Sequence, residues 1–218
     1  MMGEKETTSK KSAALKVDLW KNPTGFGGEL AGKATGCFRA AGLDLGTNCG
    51  IAWADFNPQQ PIEKVKMFGG QWLLDVGPYD TGPLRFIRLK QFLAVLQPDF
   101  IGFEAVHYTP PAELKGKPIG IVVARVATAA ELLGAFKTIL VTWAEERGIP
   151  AEGIAIGTIK KHATGKGNSN KKDMIVAANA RFQLKLDPGT YEQTGVDNIA
   201  DAMFVCNMML QQYHLGVT

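Results

Sequence analysis

Apolar residues along this chain recur with two different periods, and the switch between them marks the elements. Short, nearly continuous apolar runs predict buried strands at CFRAAGLDLG and GIAWADF. The Gly-containing turn between them predicts an antiparallel hairpin. KVKMFGG predicts a third strand over Glu63–Gly69, DFIGFEAV a short strand of the sheet-centre kind, and AEGIAIG another. Elsewhere the spacing becomes helical. Phe86, Leu89, Leu93 and Leu96 predict a helix over Pro83–Leu96. Val122, Val126, Ala129, Leu133, Phe136, Leu140 and Trp143 predict a long one over Ile119–Arg147. That helix carries a second small or apolar face at Val123, Ala127, Ala130 and Gly134, as expected of a helix packed on a sheet and on a second body. KKDMIVAANARF predicts an amphipathic helix, and Asp197–Tyr213 the last one. TIKKHATGKGNSNKKD reads as a basic Gly/Asn loop.

The resulting order is three strands, then helix, strand, helix, strand, helix, helix. An antiparallel start followed by alternating units predicts an α/β domain with a mixed five-stranded sheet flanked by helices. Residues 1–36 are polar and then Gly-rich, with no sustained period, and read as a flexible N-terminal arm. Residues 37–218 form the expected domain.

Composition adds little beyond this. The 218 residues carry a net charge of +3, a weak global argument for a nucleic-acid partner. Cys37, Cys49 and Cys206 are odd in number and lack CxxC spacing, so they read as small apolar residues in a reducing compartment. No apolar run approaches the ~20 residues that span a bilayer. The N-terminus lacks a signal-peptide core, and the expected location is cytoplasmic, without a membrane partner.

The candidate chemistry lies in acids planted among apolar residues. Asp44 sits in AAGLDLGTNCG, Glu104 ends DFIGFEAV, and Asp197 and Asp201 lie in GVDNIADAMFVCNMML. Buried carboxylates are rare unless paired or bound to a metal. Acids converging from separate segments predict a divalent-metal site, with two ions, Mg²⁺ or Mn²⁺, suited to phosphodiester hydrolysis. Positions 197 and 201 share a helix face, and Asn198 shares it as a possible amide ligand. Ile199, Met203, Cys206, Leu210 and Tyr213 form a stripe on the other side. Simpler roles stand beside these. Asp44 is also placed to stabilise a turn next to Gly46, and Asp197 to cap a helix.

Taken together, these residues resemble the RuvC family of Holliday-junction resolvases, within the RNase H-like superfamily, over about Ala40–Leu210. GLDLGTNCGIAW is similar to the family's first strand, FEAVHY to its second motif, IKKHATGKGNSNKKDM to its Lys-Lys … Thr-Gly-x-Gly … Lys segment, and DNIADAM to its final motif. The family's penultimate acid commonly stands three residues before the last. Asn198 occupies that position here, and the acid lies one earlier, at Asp197. The resemblance implies an RNase H-like fold, a homodimer and a metal-dependent endonuclease that nicks a four-way or branched DNA symmetrically, in DNA recombination or repair. It is compatible with a phage or mobile-element origin. Asp44, Glu104, Asp197 and Asp201 become catalytic candidates, and Lys171 a further one, placed to offset charge on the reacting phosphate.

Lys160, Lys161, Lys166, Lys171 and Lys172 cluster among Gly, Asn and Ser, a composition suited to phosphate contacts. Tyr108 follows the Glu104 motif and is placed to stack on an unpaired base; Arg125 is placed to reach phosphate. His162, Trp53 and Trp72 read as structural. Two other functions fit parts of the pattern. DLGTNCGIAW is also similar to the first phosphate loop of actin- and Hsp70-type ATPases, although no second such loop follows. A junction-binding protein that does not cleave would also fit.

Overall fold

The computed structural model describes residues 33, 35–77, 81–105 and 119–216, without the side chains of 119–127 and 215. Strands β1 (Phe38–Asp44), β2 (Asn48–Phe56), β3 (Met67–Leu73), β4 (Phe100–Ala105) and β5 (Ala151–Ala155) form one sheet in the order β3-β2-β1-β4-β5. β1 runs antiparallel to β2, and β2 to β3, while β4 is parallel to both β1 and β5. The mixed five-stranded α/β sheet expected from the sequence is therefore present. Among the described residues, no helix is long and apolar enough to cross a membrane.

Both faces of the sheet are covered. Side chains alternate between faces along a strand, and the two cores follow that alternation. Ala41, Leu43, Ile51, Trp53, Ile101 and Phe103 point into a core shared with α1 (Leu84–Leu96) and α2 (Ile119–Glu145). Ala40, Ala52, Ala54 and Phe56 point to the other side, under α6 (Val196–Gly216), which is joined there by α3 (Ile156–Thr164) and α4 (Lys171–Phe182). Asp44 and Glu104 share the parity of the second set, so the pleat alone puts both acids on the α6 face.

That helix lies on the sheet at backbone distance. A Cβ built on Gly42 would stand 2.3 Å from the Cys206 amide nitrogen and 2.4 Å from the Ala202 carbonyl oxygen; one on Gly50 would stand 2.0 Å from the Asn198 oxygen. Real Cβ atoms do not approach so closely, and only glycine admits the helix here. The stripe Ile199, Met203, Cys206 and Leu210 is buried beneath it, as its spacing predicts.

Several expected boundaries move. The third strand begins at Met67, not Glu63, because a 3-10 turn at Ile62–Lys64 follows Pro61. Gly69, expected to end the strand, lies within it and faces Met203 and Ile199 of α6. Half of the expected basic loop is helical. In α3, Ile159 is buried and Ala163 packs beside it, a helical apolar edge masked by the intervening lysines. The helix stops at Gly165, whose φ of 80° is the left-handed C-cap conformation. A one-turn helix, α5 (Tyr191–Thr194), precedes α6.

In α1 and the C-terminal half of α2 burial follows the spacing, whereas Ala129, expected on the packed face of α2, is exposed. Leu89, Leu93 and Leu96 of α1 are buried, as are Phe136, Leu140 and Trp143 of α2. Ala129 and Gly134 of α2 are exposed and Leu133 is half-buried; Val122, Val123, Val126 and Ala127 fall outside the described side chains. Trp53 and Trp72 are core residues. Cys49 and Cys206 are buried free thiols, both pushed up mainly by burial, and Cys37 is half-buried. Lys33, inside the expected arm, is bonded to Asp99 at 2.6 Å.

Candidate metal centre

Parallel pairing sets the first two acids. β1 and β4 are in register from Ala40↔Phe100 to Leu43↔Phe103, so Asp44 and Glu104 leave the sheet side by side on one face. The glycine contacts hold the first turns of α6 over the same end of the sheet and add Asp201. Carboxylate oxygens of Asp44, Glu104 and Asp201 all lie within 4.8 Å of one another. Among the described residues, no donor hydrogen-bonds to these three carboxylates.

Such crowding without donors shows in their protonation. Burial raises Asp44 well above the carboxylate range, and the charges of Glu104, Asp201 and Asp197 add to it while Lys171 opposes. Asp201 is pushed up to about 7, first by burial and then by Glu104 and Asp197, with Lys160 and Lys171 opposing. Glu104 is raised by burial, with Lys160 and Lys171 pulling it back. Three half-buried carboxylates that no described residue hydrogen-bonds fit a hard divalent cation, whose charge would oppose these shifts.

Asp197 is one helical turn before Asp201 and only 4 % exposed. It does not cap α6, because the helix already begins at Val196. Its Oδ2 accepts a hydrogen bond from Lys171 Nζ at 2.5 Å, an ion pair between the first turn of α6 and that of α4. This bond holds the Lys171 ammonium above the usual lysine range, although burial pulls the other way. The Asn198 side-chain nitrogen donates to the Asn48 carbonyl at 2.8 Å, tying α6 to the start of β2. Asp44 closes β1 opposite Gly50, and among the described residues it makes no turn hydrogen bond.

Of the candidate DNA contacts, Lys160 is on α3 and close enough to influence Glu104 and Asp201. Lys161 is exposed on the same helix. Lys166 is exposed in the connection to α4, and Lys171 and Lys172 are exposed at the start of α4. That connection is fastened internally: Thr164 Oγ1 shares a hydrogen with Ser169 Oγ and accepts from the Lys166 amide. His162 is structural, with Nε2 2.9 Å from Asn207 Oδ1. Tyr108 and the Arg125 side chain lie outside the described residues. Sequence reasoning missed Tyr191, whose ring centroid is 5.6 Å from Lys171 Nζ. Nothing in PGTYEQTG marks it, since its partner is twenty residues away.

No sequence-family profile matches the chain, and no curated protein does. Solved structures do. A Thermus thermophilus RuvC in complex with a Holliday junction substrate superposes with a TM-score of 0.58 at 16% identity, covering 82% of this chain and 96% of that one. A second T. thermophilus RuvC structure gives 0.54 at 17%, covering 83% and 96%. The chain has a RuvC-like fold. It spans the RuvC chain almost from end to end, so the likeness is one of overall fold.

Proposed function

We propose that this chain is a metal-dependent, structure-selective endodeoxyribonuclease that resolves four-way or branched DNA by paired symmetric nicks. The observation that carries the reading is the cluster of Asp44, Glu104 and Asp201, gathered from β1, β4 and α6 within 4.8 Å. The RuvC-like fold and the junction held by one RuvC neighbour support DNA as the substrate.

Two Mg²⁺ or Mn²⁺ ions, when bound, would supply Lewis-acid stabilisation of the attacking and leaving oxygens. Asp44, Glu104 and Asp201 are the residues that would hold them, and the bound charge would favour the ionised form of these raised carboxyls. Asp197 adds charge at the rim and seats Lys171; Asn198 braces the helix against β2 and remains the alternative oxygen donor. Lys171 neutralises charge that develops on the phosphate. Lys160, Lys161, Lys166 and Lys172 hold the backbone of the DNA, with Arg125 as a further phosphate contact and Tyr108 as a stacking partner.

Two nicks on a two-fold substrate require two sites, hence a homodimer. Gly134 and Val141, exposed seven residues apart on one side of α2, support that helix as the contact. The test is incubation of the protein with strand-labelled four-way junction and with linear duplex, in Mg²⁺ or in EDTA. The reading expects paired nicks near the crossover in Mg²⁺ only. Binding without nicks would make it a junction-binding protein.

A further inference from the structure

Lys171 is 61 % exposed, and a four-carbon side chain with that much freedom does not hold one direction unaided. Two groups restrict it. Asp197 takes its ammonium from the inner side, and Tyr191 presents a ring 5.6 Å away. The ring belongs to α5, and α5 is itself fixed to the sheet: Gln71 Nε2 of β3 donates to the Gly195 carbonyl at 3.2 Å. Gly195 ends α5, and its carbonyl accepts from the Asn198 amide, which joins α5 to the turn of α6 bearing Asp197. Tyr191 also packs against the core under α6, and its hydroxyl bonds the exposed Glu192 carboxylate at 3.2 Å, leaving the ring face for the lysine.

We propose that Tyr191 is a positioning residue: its ring face holds the Lys171 ammonium at the acid cluster, where the lysine meets the scissile phosphate. The assignment rests on the nuclease reading above. A cation over an aromatic face is attracted by the ring's negative potential, and this depends on the ring's electronics, not merely on its bulk. Asp197 alone would leave Lys171 free to pivot about one contact. With the ring as a second contact, the ammonium has a defined place before substrate arrives.

The experiment replaces Tyr191 in the full chain by Phe, and then by mono-, di- and trifluorinated phenylalanines of nearly the same shape. Single-turnover cleavage of a four-way junction is measured in Mg²⁺. Tyr191→Phe keeps the rate near wild type, and each added fluorine lowers it in step, to a total of about three-fold, with junction affinity constant. Tyr191→Leu gives the full loss. A rate independent of fluorination, or a loss confined to affinity, overturns the proposal. A second measurement does not need activity. The Lys171 ε-methylene proton resonances sit upfield in wild type and Tyr191→Phe, through the ring current, and move downfield in Tyr191→Leu. Resonances that stay in place overturn the pairing itself. A pairing confirmed in a protein that cleaves no branched DNA overturns the nuclease reading, and the positioning role with it.

Discussion

Gly42 of β1 lies directly beneath Cys206 of α6, so close that a Cβ on the glycine would stand 2.3 Å from the cysteine's amide nitrogen. The height of α6 over the sheet, and with it the reach of Asp201 to Asp44, is set by a missing side chain. Gly42→Ala therefore lifts the helix. The expected outcome is a destabilisation of about 3 kcal/mol, at the upper end for an overpacked core because the clash is with backbone. Thermal melting measures it. The same variant loses the metal-induced rise in melting temperature, because its acids no longer converge.

The acid cluster makes stability depend on pH. Asp44, Glu104 and Asp201 all have folded-state pKa values above their unfolded ones. Between the unfolded value near 3.8 and the folded value of about 7 for Asp201, the native state binds more protons than the unfolded state. Stability consequently falls as pH rises through this window and stays low above it. Melting in EDTA is expected at a higher temperature at pH 5 than at pH 8, with Mg²⁺ or Mn²⁺ restoring the loss at pH 8. A melting temperature that rises over this range in EDTA would contradict the assignment.

Asp201→Asn separates stability from function. It removes one charge from a crowded set of carboxylates, so the metal-free variant melts above wild type at pH 8. Its metal-induced rise in melting temperature is lost, and cleavage of branched DNA with it. A site held for chemistry at the expense of stability shows this trade-off.

Lys171→Met leaves the buried Asp197 carboxylate without its partner. Because the lysine is largely exposed, the destabilisation expected is only about 1 kcal/mol, below that of a fully buried pair. The effect on cleavage is larger, about 100-fold in single-turnover rate, as for removal of one preorganised charge-stabilising group. Equal small losses in both measurements would make Lys171 a structural residue.

A control comes from the far end of the same strands. Arg39 is 2 % exposed and grips Asp55 through Nε and Nη2 at 2.5 and 2.6 Å, while Nη1 donates to the Leu96 carbonyl. Arg39→Met strands the Asp55 carboxylate and a buried carbonyl, for an expected loss of about 3 kcal/mol. Metal affinity, measured by calorimetry below the melting point, stays unchanged.

Much of the fold was legible because strands and helices bury one period each. Acids planted in separate apolar segments pointed to one shared site of Asp44, Glu104, Asp197 and Asp201, and the structure gathers Asp44, Glu104 and Asp201. What was not legible depends on contacts between segments. The lysines of α3 hid a helix whose apolar edge is short, and Pro61 delayed β3. Asp197 was expected as a metal ligand, with a helix cap as its simpler role, and its ion pair to Lys171 was hidden because that partner is remote in sequence. Tyr191 carries no local signal, since its place beside Lys171 follows from Gln71 anchoring the turn that ends at Gly195.

The most direct test of the central claim is single-turnover cleavage of a strand-labelled four-way junction by wild type and by Asp44→Asn, with binding followed in the same samples. The account predicts that both proteins bind the junction, that wild type nicks two opposed strands symmetrically in Mg²⁺ and not in EDTA, and that Asp44→Asn nicks neither. Equal cleavage by the two proteins, or wild-type cleavage that persists in EDTA, would contradict it.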